Sequence, residues 1–534
     1  MTAEGTHSHS TSNPGPPSDD EEQSLPKRTL IPLTASISLA ILLLSLDRTI
    51  VAVAIPHITN TFHSLPSVGW YASAYLLTLT ALQPLFGRLY TFLPSKPVYL
   101  TAFATFLLGS LICALAPNSP ALILGRAIAG VGAGGVLSGS YVLVAETVPL
   151  RTRPAWIAGV SLWYSLGAIV APLLGGALTE KVSWRWCFWV NLPVGGPVVL
   201  GMMVLFRPPQ RRAREGVFRS LDYLGVVLLL GAATMLFYAL QRAADGTSWA
   251  SPVVVGLLVG SGATTLTFAV WQIHQGENAL IVPSLLKQRT VPAAGIANIA
   301  MYAALTTYIY FLPIYFQAIK GAGIVASAVD LLPLVVACSV FSIVAGALVT
   351  KIGYFTPPAV VGLALTMIGA GLMTTLDEGT HTALWAGCQH ILGAGLGLAL
   401  QSGFFGVQAV LSADDVPMGT SLMTFCQSLG GSLGVSIGNA ILLGVLQGHR
   451  NELLLEDVNI DGVVAAGATA FRTFVRGGGL EALLAVYNDA LRQTFIMAAA
   501  FTGLALLASC FMELRKATER SPSPTPSTPE DTLN

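Results

Sequence analysis

LSLDRTIVAVAIP, residues 44–56, sets Asp47 and Arg48 side by side inside a run that is otherwise almost wholly apolar. The run begins near residue 30, after about thirty polar residues, and is too long for the apolar core of a signal peptide, with no small-residue cleavage site after it. It is long enough to cross a bilayer, which takes about 20 mostly apolar residues. An ionisable group at mid-span costs roughly 2.5–3.5 kcal/mol on insertion scales, so it faces protein or water rather than lipid, and in a membrane chain it marks function.

Outward from this stretch the same composition continues. The 534 residues are 53% hydrophobic and only 10% charged, against about 25% charged in soluble domains. Cutting at Pro, Gly and charged breaks gives fourteen apolar stretches, near 30–55, 68–87, 97–116, 120–146, 155–178, 186–206, 222–241, 251–272, 291–318, 325–350, 357–376, 383–411, 416–446 and 493–513. All are expected to be helices, because backbone polar groups in lipid must be satisfied within the segment. Seventeen of the 27 Lys and Arg fall on one side of such a chain and eight on the other, with Arg48 and Arg126 inside spans. The positive-inside bias therefore predicts both termini in the cytosol. Lys plus Arg equals Asp plus Glu at 27 each, so nothing points to nucleic acid.

Asp47 lies nine residues before Pro56, read as the outer end of span one, and Arg126 six residues after Pro120, which opens span four from the same face. At about 1.5 Å per residue the two charges sit at comparable depth and are candidates to pair. Two roles are open. Asp47 is either a proton-binding carboxylate, poised between burial and a neighbouring guanidinium, or half of a fixed ion pair that holds two spans in register. Arg48 projects about 100° around the helix from Asp47, toward another interface or an aqueous boundary.

Four further acidic or polar features stand out. Glu146, at the inner end of span four, reads as a solvated helix-end charge, and Asp330 as either a second titrating or cation-binding group or a helix-end carboxylate. Asp222 reads as a first-turn residue that favours the helix dipole. His390, Gln401, Phe404 and Gln408 are separated by 11, 3 and 4 residues, which on one continuous helix places them within roughly 60° of one another, a polar and aromatic face suited to a substrate cavity or to packing between helices.

Several classes are excluded. There is no GK[ST] for an ATP-driven pump, no clustered histidine set for a metal, and no Cys-x-x-Cys-His for haem. The GVGAGG of residues 130–135 matches a dinucleotide fingerprint formally, but it falls in mid-helix rather than between a strand and a helix, so it reads as a close helix contact. The six cysteines are scattered through apolar runs and read as packing residues. No cofactor is expected, and no metal.

Taken with their neighbours, these residues resemble the major facilitator superfamily, in particular its fourteen-span drug:proton antiporter branch and the fungal toxin and secondary-metabolite efflux pumps. LDRTIVAVAIP resembles the first-span motif, GRLYTFLPSK (87–96) the loop between spans two and three, LILGRAIAGVGAGG (122–135) the fourth-span arginine motif, GAIVAPLLGG (167–176) the fifth-span antiporter signature with Gly167, Pro172, Gly175 and Gly176, and WRWCFWVNLPVG (184–195) the start of span six. The second motif departs from the family form: Thr91 stands where an acidic residue is usual, and Ser95 where a later arginine is, with Lys96 beside it; the resemblance leaves Glu146 either to supply the missing latch carboxylate or to be a solvated helix-end charge.

The resemblance implies an all-α integral membrane protein of fourteen transmembrane helices. A disordered cytosolic tail (1–29) would precede a six-helix bundle (30–206), a basic cytosolic linker with two inserted spans (207–290), a second bundle (291–513) with a long exterior loop (447–490), and a disordered tail (514–534). It also implies a monomer in the cell membrane or the vacuolar membrane, working by alternating access. The function it implies is proton-coupled efflux of a medium-sized, largely apolar organic compound. The alternative within the same fold is a proton-coupled importer or siderophore-type exchanger.

Overall fold

The computed structural model describes residues 27–62, 68–206, 221–244, 247–455, 458, 462, 471–472, 475 and 478–516. Most of the tails and of the basic linker, and much of 456–477, lie outside the described residues, and so does the disorder expected at both ends. Among the described residues the regular structure is helical, the one β-type pairing being an isolated bridge between Tyr354 and Lys516.

The first bundle consists of α1 (Lys27–Phe62), α2 (Val68–Phe92), α3 (Ser95–Leu115), α4 (Ser119–Thr147), α5 (Arg153–Lys181), and the pair α6 (Trp186–Trp189) and α7 (Asn191–Leu205), which share one span. Two inserted helices follow, α8 (Tyr223–Ala244) and α9 (Pro252–Gln275), and then a short α10 (Pro283–Lys287). The second bundle holds α11 (Thr290–Ala318), α12 (Ile324–Asp330) continued by α13 (Leu332–Ile352), α14 (Thr356–Met373), α15 (Thr382–Ala399) continued by α16 (Ser402–Val410), α17 (Val416–Gly448), a short α18 (Arg450–Leu455) and α19 (Gly478–Cys510). Twelve of these spans are long and apolar enough to cross a membrane. The two remaining helices in the first bundle, α2 with 25 residues and α5 with 29, occupy the second and fifth expected positions and pack against α4 and α1 respectively.

Three expected boundaries move. α1 does not stop at Pro56 but runs on to Phe62; one missing N–H is tolerated in a helix packed among others. The last helix begins at Gly478 rather than near 493, because GGLEALLAVYNDALRQ carries a helical stripe: Leu483, Leu484, Tyr487, Ala490 and Leu491 are all buried. The twelfth span is not one helix. α15 ends at Ala399 and Gln401 takes φ −104°, ψ 2°, before α16 resumes at Ser402.

Small residues let the helices close on one another. A Cβ on Gly132 would strike the backbone of α3 at Phe106, and one on Gly134 would lie 2.8 Å from the carbonyl oxygen of Leu79 in α2. The glycine-rich run is thus a surface for two helix contacts at once. α9 is peripheral, with Val259, Leu266 and Ile273 65–73% exposed, as a lipid-facing helix must be. Five of the six cysteines are buried and all six are free.

The bundles meet along two seams, α2 with α17 and α5 with α13. The inserted α8 packs on α9, and also on α2 and α17, so it lies across the first seam.

Candidate functional site

Asp47 and Arg126 meet in the first bundle. Arg126 Nη1 donates to Asp47 Oδ2 at 2.6 Å, and the two side chains are 1% (Arg126) and 0% (Asp47) exposed. Asn191 Nδ2 donates to the other carboxylate oxygen at 2.9 Å and also reaches Ser110 Oγ at 3.1 Å. Arg126 Nε donates to the Tyr71 carbonyl at 2.9 Å, and its guanidinium lies 4.2 Å from the Tyr75 ring centre. Several spans therefore converge on one charge pair, in the manner that makes a buried pair tolerable: good geometry plus hydrogen bonds to what remains. Asn191, the first residue of α7, is the member that spacing arguments overlooked, although it stands inside the WRWCFWVNLPVG motif.

Arg48 takes another face of α1. Its Nη1 donates to the Tyr164 hydroxyl at 2.8 Å, while Ser45 Oγ donates to the Tyr164 carbonyl at 2.5 Å. Both Arg48 and Tyr164 line a cavity of about 310 Å³ between the bundles. Leu137, Tyr141 and Ser161 line it from the first bundle, and Tyr302, Leu305, Gln401 and Gln427 from the second.

The cavity extends along α11 from Tyr302 to Gln317 and to Ser327 of α12, away from the α2–α3 and α4–α5 connections, at or beside which Lys96, Arg151 and Arg153 lie. Toward that basic end it is floored. Tyr141 and Phe404 stack across the interface with ring centres 4.4 Å apart, Ser138 and Thr424 hydrogen bond at 2.9 Å, and a Cβ on Gly346 of α13 would lie 2.8 Å from the Pro154 carbonyl oxygen of α5.

The structure separates the four residues expected on one face of the twelfth span. Gln401 lines the cavity, 1% exposed, and neither atom of its amide finds a hydrogen-bond partner among the described residues. Phe404 is in the floor. Gln408 is buried beyond the floor and does not line the cavity, and His390 is exposed on the outer face of α15, its Nδ1 2.9 Å from the Ala386 carbonyl oxygen. The reason is the break at Gln401: angular arithmetic across residues 390–408 assumes a single helix, and here there are two.

Asp330 ends α12, partly buried; its carbonyl accepts from Gln389, and neighbouring Leu331 rather than Asp330 lines the cavity. A Cβ on Gly167 would come within 2.8 Å of Ser45 and of the Leu42 carbonyl, and one on Gly175 within 2.6 Å of Ile50, so the fifth-span glycines are where α5 closes on α1. Gly176 is partly buried in α5; Pro172 lies in the same helix, its side chain outside the described residues.

The model of the Major Facilitator Superfamily matches residues 37–435, three quarters of the chain. The chain belongs to the major facilitator superfamily. Among curated members, efflux pump roqT of Penicillium rubens is 39% identical over 507 residues, covering 94% of this chain and 93% of that one. The rubrofusarin-specific efflux pump aurT of Gibberella zeae is 39% identical over 490 residues, 91% and 88% of the two chains, and an MFS-type efflux pump of Trichophyton rubrum is 38% identical over 487 residues, 90% of each. Of solved structures, the proton:xylose symporter XylE gives a TM-score of 0.56 at 14% identity, covering 90% of this chain and 95% of that one. A bacterial homolog of the human lysosomal transporter Spinster gives 0.53 at 19%, covering 91% and 98%.

Within this superfamily member, the loop between α2 and α3 is held in its own way. Ser95, standing in place of the usual arginine, donates to Glu146 Oε2, and Lys96 Nζ donates to the Met203 and Phe206 carbonyls at 2.7 and 2.8 Å. Both anchors are inside the first bundle. The carboxylate at the C-terminal end of α4 thus binds the loop through a hydroxyl. The protein is a multi-pass membrane transporter rather than an enzyme.

Proposed function

We propose that the protein exports a medium-sized, largely apolar organic compound by alternating access, driven by inward proton flow, with both termini in the cytosol. The observation that carries the reading is the division of labour on α1: Asp47 turns into the first bundle to the Arg126 pair, while Arg48, one residue on, enters the cavity between the bundles. Protonating Asp47 weakens its hold on Arg126, and any adjustment of α1 moves a cavity residue with it. Coupling needs no more than that one backbone link.

The named efflux pumps among the relatives favour outward transport of an organic compound. Their likeness to this chain covers nine tenths of it. The basic end of the molecule, where the floor is closed, is read as the cytosolic side from the distribution of Lys and Arg. In that orientation the cavity faces outward, as in the releasing half of an export cycle. The energetics agree, since a membrane potential gives about 2.3 kcal/mol per charge per 100 mV and a tenfold gradient costs about 1.4 kcal/mol.

Export from vesicles holding the purified protein decides the matter. An imposed proton gradient should drive substrate against its concentration, and a protonophore should stop it. Export that survives the protonophore, or loss of nutrient or iron-chelate uptake on gene deletion, would replace this reading with a differently powered pump or an importer. Protease access to a C-terminal tag in sealed cells tests the orientation: cleavage from outside would reverse it.

A further inference from the structure

We propose that the central cavity selects organic anions: compounds with a largely apolar, aromatic body and one acidic group, a carboxylate or an acidic phenol, whose charge docks on Arg48. The proposal rests on the export reading above and names the substrate class of the same site.

The charge balance of the lining is the first ground. Arg48 is the only ionised side chain among the described residues that line the cavity, and no carboxylate lines it. No described residue forms an ion pair with Arg48. The one ion pair among the described residues is Arg126 with Asp47, and Asp47, its neighbour in sequence, has one oxygen on Arg126 and the other on Asn191. The hydrogen-bond partner of Arg48 is the neutral hydroxyl of Tyr164. Arg48 is partly exposed to the cavity, and a cation between two bundles favours a counter-charge, which none of the described lining residues supplies.

Geometry is the second ground. A guanidinium carries five donors in a planar fork that suits a carboxylate or phenolate oxygen. Nη1 of Arg48 is engaged with Tyr164, while Nη2 points across the interface to α17, 3.7 Å from where a Cβ would stand on Gly431. Glycine at that position leaves the space in front of the fork free of a side chain, and Thr306 ties down the Gly431 carbonyl at 2.9 Å. An anion held there touches both bundles. Around it, Tyr141, Tyr302, Leu305 and Ile309 offer an apolar and aromatic bed, and the unpartnered Gln401 amide a further donor.

The test uses the purified full-length protein and two probes of one shape, 6-hydroxy-2-naphthoate and 6-hydroxy-2-naphthamide, in equilibrium binding near neutral pH. The naphthoate should bind at least about tenfold tighter, equivalent to about 1.4 kcal/mol. Arg48→Gln should erase that gap and Arg48→Lys keep part of it. Gly431→Asp, which places an internal carboxylate against the fork, should weaken the naphthoate, whereas Gly431→Asn, of equal size, should not; this pair decides the question should Arg48→Gln fail to fold. Equal binding of the two probes, no naphthoate binding, or a gap that persists in Arg48→Gln or in Gly431→Asp overturns the proposal. Failure of the export reading would appear separately, as a bound probe that no proton gradient moves in vesicles. Proton-driven movement of the amide without the naphthoate would leave export standing and remove the anion.

Discussion

Asp47 and Arg48 are adjacent, yet the helix turns them to different duties. Asp47 accepts from both Arg126 and Asn191, so Asp47→Asn keeps the shape but turns one acceptor into a donor and leaves Arg126 buried without its counter-charge. Breaking a buried pair costs about 3–5 kcal/mol, so the yield of folded protein should fall, and the protein that does reach the membrane should lose proton-driven transport by more than about tenfold; export in vesicles with matched protein measures it. Arg126→Ala strands the carboxylate instead, and its yield should fall likewise. Adding Asp47→Asn to Arg126→Ala should restore part of that yield, as read by thermal unfolding in detergent. No recovery in the double variant would mean that the pair matters little to folding.

Among the elements, the inserted hairpin shows how one residue can outgrow its local reading. Asp222 precedes α8 and accepts from Gly225 N at 2.7 Å, as a capping side chain does. It also accepts from Trp271 Nε1 and Gln272 Nε2 of α9, both at 2.8 Å, and from the amide of Leu280 at 3.4 Å. One carboxylate thus clamps α8 to α9 and to the chain that follows. Hydrogen bonds to a charged group contribute about 1.5–3 kcal/mol each, so Asp222→Ala should loosen the hairpin more than loss of a cap alone, about 1 kcal/mol. Limited proteolysis near residues 276–282, beside the clamp, should speed up markedly; an unchanged cutting rate would reduce Asp222 to an ordinary cap. The break between α15 and α16 makes a second case. By turning Gln401 into the cavity and Phe404 into its floor, it predicts that Gln401→Ala alters which compounds are carried while the amount of protein holds, and that Phe404→Ala weakens the closed floor. A survey of transport across unlike compounds separates these effects.

On the scale of the whole molecule, the floor of the cavity is the part that must open for the cavity to be loaded from the basic end of the bundles. Ser138 and Thr424 belong to different bundles and hydrogen bond at 2.9 Å. The double variant Ser138→Cys with Thr424→Cys should form a disulfide under mild oxidation, which would hold the floor shut and stop transport, and a reductant should restore it. Either single variant should remain active under the same oxidant, five of the six native cysteines being buried. Transport that continues through a verified crosslink between positions 138 and 424 would show that the seam does not open there.

Composition and periodicity by themselves determined the membrane class, the helical content, and the position of most spans, because a bilayer imposes the same length and apolarity on every crossing segment. Depth counting from Pro120 and Pro56 made Asp47 and Arg126 candidates to pair, since rise per residue converts sequence distance directly to height. Which face each residue presents across a helix break, and which side chains from distant segments share a space, are not local quantities. Only the tertiary structure brought Asn191 to Asp47, sent His390 outward while Gln401 turned in, stretched Asp222 across three segments, and left Arg48 as the lone charge among the described residues of a cavity built by both bundles. The physical reason is that each of these is fixed by packing between elements, where a contact depends on how two helices cross rather than on the spacing within either.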